Sequence, residues 1–214
     1  MSTSNIIEIA IRSPKDGVNE ADFINAKNAA VSKLVSLDGI GPEREFAPFQ
    51  TMPQQSKKVF VGMTRYESQA NIRRSYMNLG LMLKMIPFFR KMAPLAGVFL
   101  KPNEADFDYL TFANKKNVLE IALLRPKATV TESQFLAARS TFLEQYNAEP
   151  EVVASYTFTV SGGFRNKDTL PHFTIYQDKG AYEALAARFD TLAYRKAFLG
   201  VYDPAVITLC TVIK

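Results

Sequence analysis

Tryptophan is absent from the 214 residues, and histidine and cysteine occur once each, as His172 and Cys210. A single cysteine excludes an intrachain disulfide. One histidine and one cysteine, with no carboxylate at ligand spacing, do not supply a dedicated transition-metal site. Long apolar runs are also missing: the most apolar stretch, residues 79–89, contains Lys84 and Pro87 and is too short to span a bilayer. The N-terminus shows no basic flank followed by an apolar segment, so no signal peptide is expected. Gly39-Ile-Gly41 lacks the third glycine and the strand-to-helix setting of a dinucleotide fingerprint, and neither a phosphate loop nor a Gly-x-Ser-x-Gly elbow occurs. These absences predict a cytoplasmic protein with no cofactor, no metal and no membrane partner.

What is present is a repeat. Glu8-Ile-Ala-Ile-Arg-Ser-Pro-Lys-Asp-Gly-Val18 returns as Glu120-Ile-Ala-Leu-Leu-Arg-Pro-Lys-Ala-Thr-Val130, and residues 8–27 match 120–139 without a gap at nine of twenty positions. Two units are expected, 1–105 and 106–214, with the closing strand of the first extending to about 113. The net charge of +5 resides in the first: 14 − 9 = +5 for residues 1–105 against 12 − 12 = 0 for 106–214.

Each unit reads strand, helix, strand, strand, helix, strand. Residues 6–12 and 118–124 are short apolar runs ending near Pro14 and Pro126, as strands buried on both faces do. Asn19 and Thr131 are expected N-caps, and Phe23, Ala26, Ala30 and Leu34, like Phe135, Ala138, Phe142 and Tyr146, recur at helical spacing. Hairpins follow at 43–50 with 58–65 and at 151–160 with 171–177. Helices broken near Pro87 and near Asp190-Thr191 cover 68–92 and 179–199, and closing strands are expected at 107–113 and 205–213. A βαββαβ unit places both helices on one side of an antiparallel sheet and leaves the other face bare. The duplicate supplies the cover. The predicted fold is therefore α+β, two tandem ferredoxin-like repeats whose sheets pack face to face as a pseudo-dimeric α/β barrel.

The segment Phe173-Thr-Ile-Tyr-Gln-Asp-Lys-Gly-Ala-Tyr182, followed by Tyr194-Arg-Lys-Ala-Phe-Leu199, resembles the antibiotic-biosynthesis monooxygenase-like family of the dimeric α/β-barrel superfamily. Phe60 to Tyr66 and Phe88-Phe-Arg-Lys match it more loosely in the first unit. The resemblance implies a cofactor-independent oxygenase acting on an aromatic or polyketide-like molecule, or a ligand-binding protein of the same fold without chemistry. The chain departs from that family at the Pro-His-aromatic step, where it has Leu192-Ala193-Tyr194 and Pro87-Phe88-Phe89.

His172 is the only imidazole and is the expected base, with Glu120 the second candidate catalytic residue; a haem held by His172 alone has no further supporting feature. His172, Thr174 and Tyr176 share one strand face, set here against Val59, Val61 and Met63 of the first unit. Tyr156, Thr174, Tyr176 and Tyr194 are the expected substrate contacts. Glu8 and Glu120 hold equivalent places inside apolar strands, where a carboxylate needs a partner or a reason. Met77, Met82, Met85 and Met92, with Phe88 and Phe89, offer either a pocket for a flat ligand or core packing. The expected partner is a small aromatic ligand, with a homodimer left open. Val59-Phe-Val-Gly62 resembles part of an RNA-recognition motif but lies on the wrong strand and lacks its companion, so no nucleic acid is expected.

Overall fold

The computed structural model describes residues 5–213. Its elements run β1 (Ile6–Pro14), α1 (Glu20–Val35), β2 (Ile40–Met52), β3 (Phe60–Tyr66), α2 (Gln69–Met77), α3 (Leu79–Lys91) and β4 (Met92–Pro102). They continue with β5 (Val118–Pro126), α4 (Glu132–Asn147), β6 (Val152–Arg165), β7 (Leu170–Tyr176), α5 (Lys179–Ala186), α6 (Ala193–Leu199) and β8 (Tyr202–Val212). The local causes are visible. Asn19 accepts a hydrogen bond from the Ala21 amide, and Glu20 and Asp22 in the first turn of α1 complement its dipole. Thr131 and Gln134 form a reciprocal capping box on α4. Asn78 ends α2 and caps α3, so the helical stretch breaks there, while Pro87 is accommodated inside α3.

The eight strands close into one antiparallel barrel in the order β1-β3-β2-β8-β5-β7-β6-β4. Each half contributes a four-stranded sheet, and the two sheets join at both edges, β2 against β8 and β4 against β6. Closure pairs every strand edge, which removes the exposed donors and acceptors an open sheet would present. Alternation along the strands divides the core in two. Ile7, Ile9 and Ile11 of β1, and Leu119, Ile121 and Leu123 of β5, face the barrel interior together with Phe158 and Phe173, whose rings lie 4.2 Å apart. Ile6 of β1 and Val118, Ala122 and Leu124 of β5 instead pack in separate clusters beneath the helices. Each apolar side chain so buried contributes about 1.5–3 kcal/mol.

Residues 107–113 are not the closing strand of the first half; that strand is β4, which starts directly after α3. Phe107, Tyr109 and Phe112 enter the barrel interior as a plug. The Tyr109 hydroxyl lies 2.6 Å from the carbonyls of Pro42 and Met63. Buried Arg44 donates to the Tyr109 and Ala113 carbonyls and stacks over Phe112 at 4.8 Å. β4 is harder to read because prolines bracket it and Gly97 interrupts it. The Phe164 ring lies over that glycine: a Cβ there would be about 2.0 Å from it, so the ring would have to move.

The register corrects a further expectation. Ala10 pairs with Gly62 and Glu8 with Thr64, just as Ala122 pairs with His172 and Glu120 with Thr174. The first-half counterparts of His172, Thr174 and Tyr176 are therefore Gly62, Thr64 and Tyr66. Val59, Val61 and Met63 point into the barrel interior. An odd-numbered offset along a strand exchanges its two faces.

Candidate functional site

Between sheet and helices, each half encloses a space beside a buried carboxylate. In the first half, Tyr66 on β3 donates a 2.7 Å hydrogen bond to Glu8 Oε2 on β1. In the second half, Tyr176 on β7 donates an equal bond to Glu120 Oε2 on β5, and its hydroxyl also meets that of Tyr146 at 2.7 Å. Burial pushes both carboxyls above the ordinary carboxylate range, opposed by the tyrosine hydrogen bond and by one cation each, Arg12 for Glu8 and Arg195 for Glu120.

The surroundings differ. The second-half cavity holds only about 110 Å³ and is walled by Glu120, Phe142, His172, Arg195, Phe198 and Tyr202, among others. Phe142 and Phe198 stack at 4.6 Å, and each ring centroid is 6.3 Å from that of His172. The first-half space has two chambers. An inner one of about 50 Å³ reaches Glu8, Glu43, Thr64, Tyr66 and Met82. An outer cleft of about 640 Å³ is bounded by Met92, Pro94, Phe99, Gly163 and Phe164. Glu8, Arg12, Tyr76, Met85, Phe88 and Phe89 line both chambers, so they are contiguous. Small-molecule sites are commonly about 300–1,000 Å³. The first-half cleft has that size and the second-half cavity does not.

Charge also gathers on the first-half wall. Arg12 donates to Glu43 at 3.0 Å in a buried ion pair and lies 5.3 Å from the centroid of the Phe88 ring. Arg12 Nε and Glu43 Oε2 are buried without a partner among the described residues. Lys27 on α1 pairs with Glu45 next to them. Burial raises the Glu43 carboxyl against the pull of Arg12 and Lys27 and pushes the Tyr76 hydroxyl up to about 12.

The residues expected from sequence are distributed as follows. His172 and Glu120 share the small second-half cavity, with Tyr176 behind Glu120. His172 is 2% exposed, its Nδ1 has no partner, and burial followed by the nearby charge of Arg139 lowers its pKa to about 3. That environment disfavours the protonated ring. Moving a proton from a phenol near pKa 10 to such an imidazole is uphill by roughly 9 kcal/mol, at about 1.36 kcal/mol per unit. Thr174 is fully buried and bonds to Ser155 at 3.3 Å. Tyr156 lies on the opposite side of the sheet, in the barrel interior, with its ring edge-on to Phe107 at 5.0 Å. Tyr194 bonds to Glu149 at 2.7 Å and is not in the cavity wall. Sequence reasoning passed over Glu43, Tyr66 and Tyr76. The signal was Thr64-Arg-Tyr66 beside Thr174-Ile-Tyr176: aligning these two Thr-x-Tyr steps sets the strands in true register.

A metal or porphyrin finds no matching donors. No three His, Cys, Asp or Glu side chains converge among the described residues. The one histidine faces a space far smaller than a macrocycle of drug size or larger requires.

No family model matches the sequence, and no curated protein is significantly similar to it. Solved structures do share the fold. An anthrone oxidase-like protein superposes with a TM-score of 0.71 at 10% identity, covering 100% of this chain and 93% of that one. A candidate monooxygenase from Fusobacterium nucleatum gives 0.61 at 14% identity, covering 100% and 94%. A chlorite dismutase from Candidatus Nitrospira defluvii gives 0.57 at 8%, covering 100% and 93%. Identities this low establish architecture alone: the chain shares the α+β barrel fold of these structures.

Proposed function

We propose that the protein binds a flat, largely apolar aromatic or polyketide-like molecule in the first-half cleft and oxidises it with dioxygen without a cofactor. The observation that carries this reading is the continuity of a ligand-sized, Met- and Phe-lined cleft with the buried carboxylate of Glu8. A carboxylate whose pKa is raised by burial is a better base. Glu8, held by Tyr66, accepts the proton of a phenolic substrate, and the Arg12 guanidinium at the same wall stabilises the negative charge left on the oxygen. Electron density delocalised from the phenolate makes a ring carbon nucleophilic, and that carbon forms a bond to dioxygen. The O–O bond of the resulting hydroperoxide then breaks. One oxygen stays as a quinone carbonyl, and the other leaves as water with the two hydrogens lost by the substrate. The names of the fold neighbours, an anthrone oxidase-like protein and a candidate monooxygenase, support this choice of chemistry.

A second reading is binding without turnover. It is favoured by Tyr176–Glu120, an equal pair beside a cavity of only about 110 Å³, which suits a structural role for both carboxylates. Titration of a tricyclic phenol by calorimetry, with oxygen uptake followed on the same samples, separates the two. Binding with substrate-dependent oxygen consumption supports the oxygenase, and binding alone supports the second reading. No binding, or binding unchanged by Met85→Trp, which fills the cleft, overturns both. We also propose that residues 1–105 and 106–214 descend from one duplicated unit, because element order and strand register recur in both.

A further inference from the structure

Between Glu67 and Glu104 the chain contains no aspartate or glutamate, yet it contains Arg73, Arg74, Lys84, Arg90, Lys91 and Lys101. Helices α2 and α3 occupy most of that span. On α3, Leu81 and Phe88 are buried, with Met85 packed against them. On the opposite side, Leu79, Leu83 and Ile86 follow at i, i+4 and i+7 and are 74%, 62% and 43% exposed. Tyr76, Met77 and Phe89, also exposed, extend this apolar face to the end of α2 and the rim of the cleft. A surface of this kind marks an interaction site more often than chance. Arg73, Arg74, Lys84 and Arg90 are exposed beside it, and none forms an ion pair among the described residues.

We propose that the α2–α3 face docks on the surface of an anionic lipid bilayer. Its apolar side chains would enter the boundary between headgroups and acyl chains, and its cations would meet lipid phosphates and carboxylates. The charge pattern selects this occupant. A second copy docking through the same face would bring cations against cations, with no carboxylate on α2 or α3 to offset them. No helix among the described residues is long and apolar enough to cross a membrane, so the contact is peripheral. It revises the expectation of no membrane partner, which rested on spanning length alone. Tyr76 and Phe89 belong both to this face and to the cleft wall. If the cleft binds an apolar substrate as proposed above, that substrate passes from the bilayer to Glu8 without crossing bulk water.

The test is co-sedimentation of the full chain with vesicles of phosphatidylcholine alone and of phosphatidylcholine mixed with phosphatidylserine. Binding to the mixed vesicles, weakened by added salt, is expected. Lys84→Ala with Arg90→Ala should lower that partitioning roughly thirty-fold. Leu83→Glu with Ile86→Glu should abolish it and leave the circular dichroism spectrum and affinity for a soluble phenol unchanged, since neither residue lines the cleft. Absence of vesicle binding, or equal binding to both vesicle types, overturns the proposal. Light scattering that shows a dimer dissolved by the two glutamates, without vesicle binding, assigns the face to a second copy instead. Vesicle binding by a chain that fails to bind the phenol removes the proposed function and leaves the docking surface standing.

Discussion

At one place on the barrel, the first half has Gly62 beneath the Arg12–Glu43 ion pair, and the second half has His172 beneath the stacked rings of Phe142 and Phe198. Position by position, Arg12 answers to Leu124 and Glu43 to Ser155. The helix ends correspond too. Lys15 and Lys127 make the same backbone bonds to Lys91 and Val201, and their ammonium groups reach the Phe89 and Leu199 carbonyls. Counting back from there sets Met85 against Arg195. The shared Tyr–Glu pair is thus kept in both halves, with Thr64 and Thr174 beside it, while Gly62, Arg12, Glu43 and Met85 give way to His172, Leu124, Ser155 and Arg195. In the second half, aromatic rings and an arginine fill the space; in the first, a glycine and thin, pliable methionines leave it open. Preserved polar pairs mark the scaffold, and the residues exchanged around them decide which half has room for a ligand.

The largest expected effect breaks or sharpens that contrast at the carboxylates. Glu8→Gln should lower oxygen uptake with a phenolic substrate by roughly 10²–10⁴-fold, while Glu120→Gln leaves it within about two-fold. Steady-state rates for both variants decide it, and equal losses would erase the functional difference between the halves. Next is the filling of the second half. Phe198→Ala should cost about 3–5 kcal/mol in urea unfolding. It should also enlarge the small cavity enough to bind benzene, as engineered apolar cavities of about 150 Å³ do, with xenon or benzene binding as the readout.

The third concerns pH. His172 is held neutral in the fold, with its pKa lowered from 6.5 to about 3. Between those values the unfolded chain binds a proton that the folded chain does not, so stability is full above pH 6.5 and falls as acid is added. The slope approaches 1.4 kcal/mol per pH unit. His172→Asn should flatten this part of the profile. Glu8 and Glu120 act with the opposite sign, because their raised pKa values favour protonation in the fold. Their contribution is present below the unfolded value of 4.5 and declines as pH rises through the folded one. Denaturant midpoints measured across pH 3–8 for the wild type and His172→Asn separate the two. The smallest effect is expected at Tyr194→Phe, which loses one partly exposed hydrogen bond to Glu149. Unfolding free energy should fall by about 1 kcal/mol or less, and phenol affinity should not change.

Much of the fold was legible because its signals are local. The Ile-rich runs ending at proline, the caps Asn19 and Thr131, and the helical spacing of Phe23, Ala30 and Leu34 all appear as read. The segment 107–113 misled because a run rich in aromatic residues also suits a loop threaded into a barrel, and proline and glycine disguised β4. The candidate site was legible in part. Glu120 was singled out, as were Met82, Met85, Phe88 and Phe89, but a slipped strand alignment made the first half look uniformly apolar. The slip hid Tyr66 and Glu43.

The sequence by itself determined the strands, the helix caps and the need to cover an apolar sheet face, since periodicity and capping act over a few residues and a bare apolar sheet is not viable in water. Only the tertiary structure decided where the room is. A cavity is what remains after side chains from several elements have met, and whether Gly62 or His172 lies beneath those helices is felt only when β1, β2, β3 and α3 come together. It also decided that His172 is a buried neutral ring, because the rings of Phe142 and Phe198 that cover it and the charge of Arg139 are distant in the chain and adjacent in the fold.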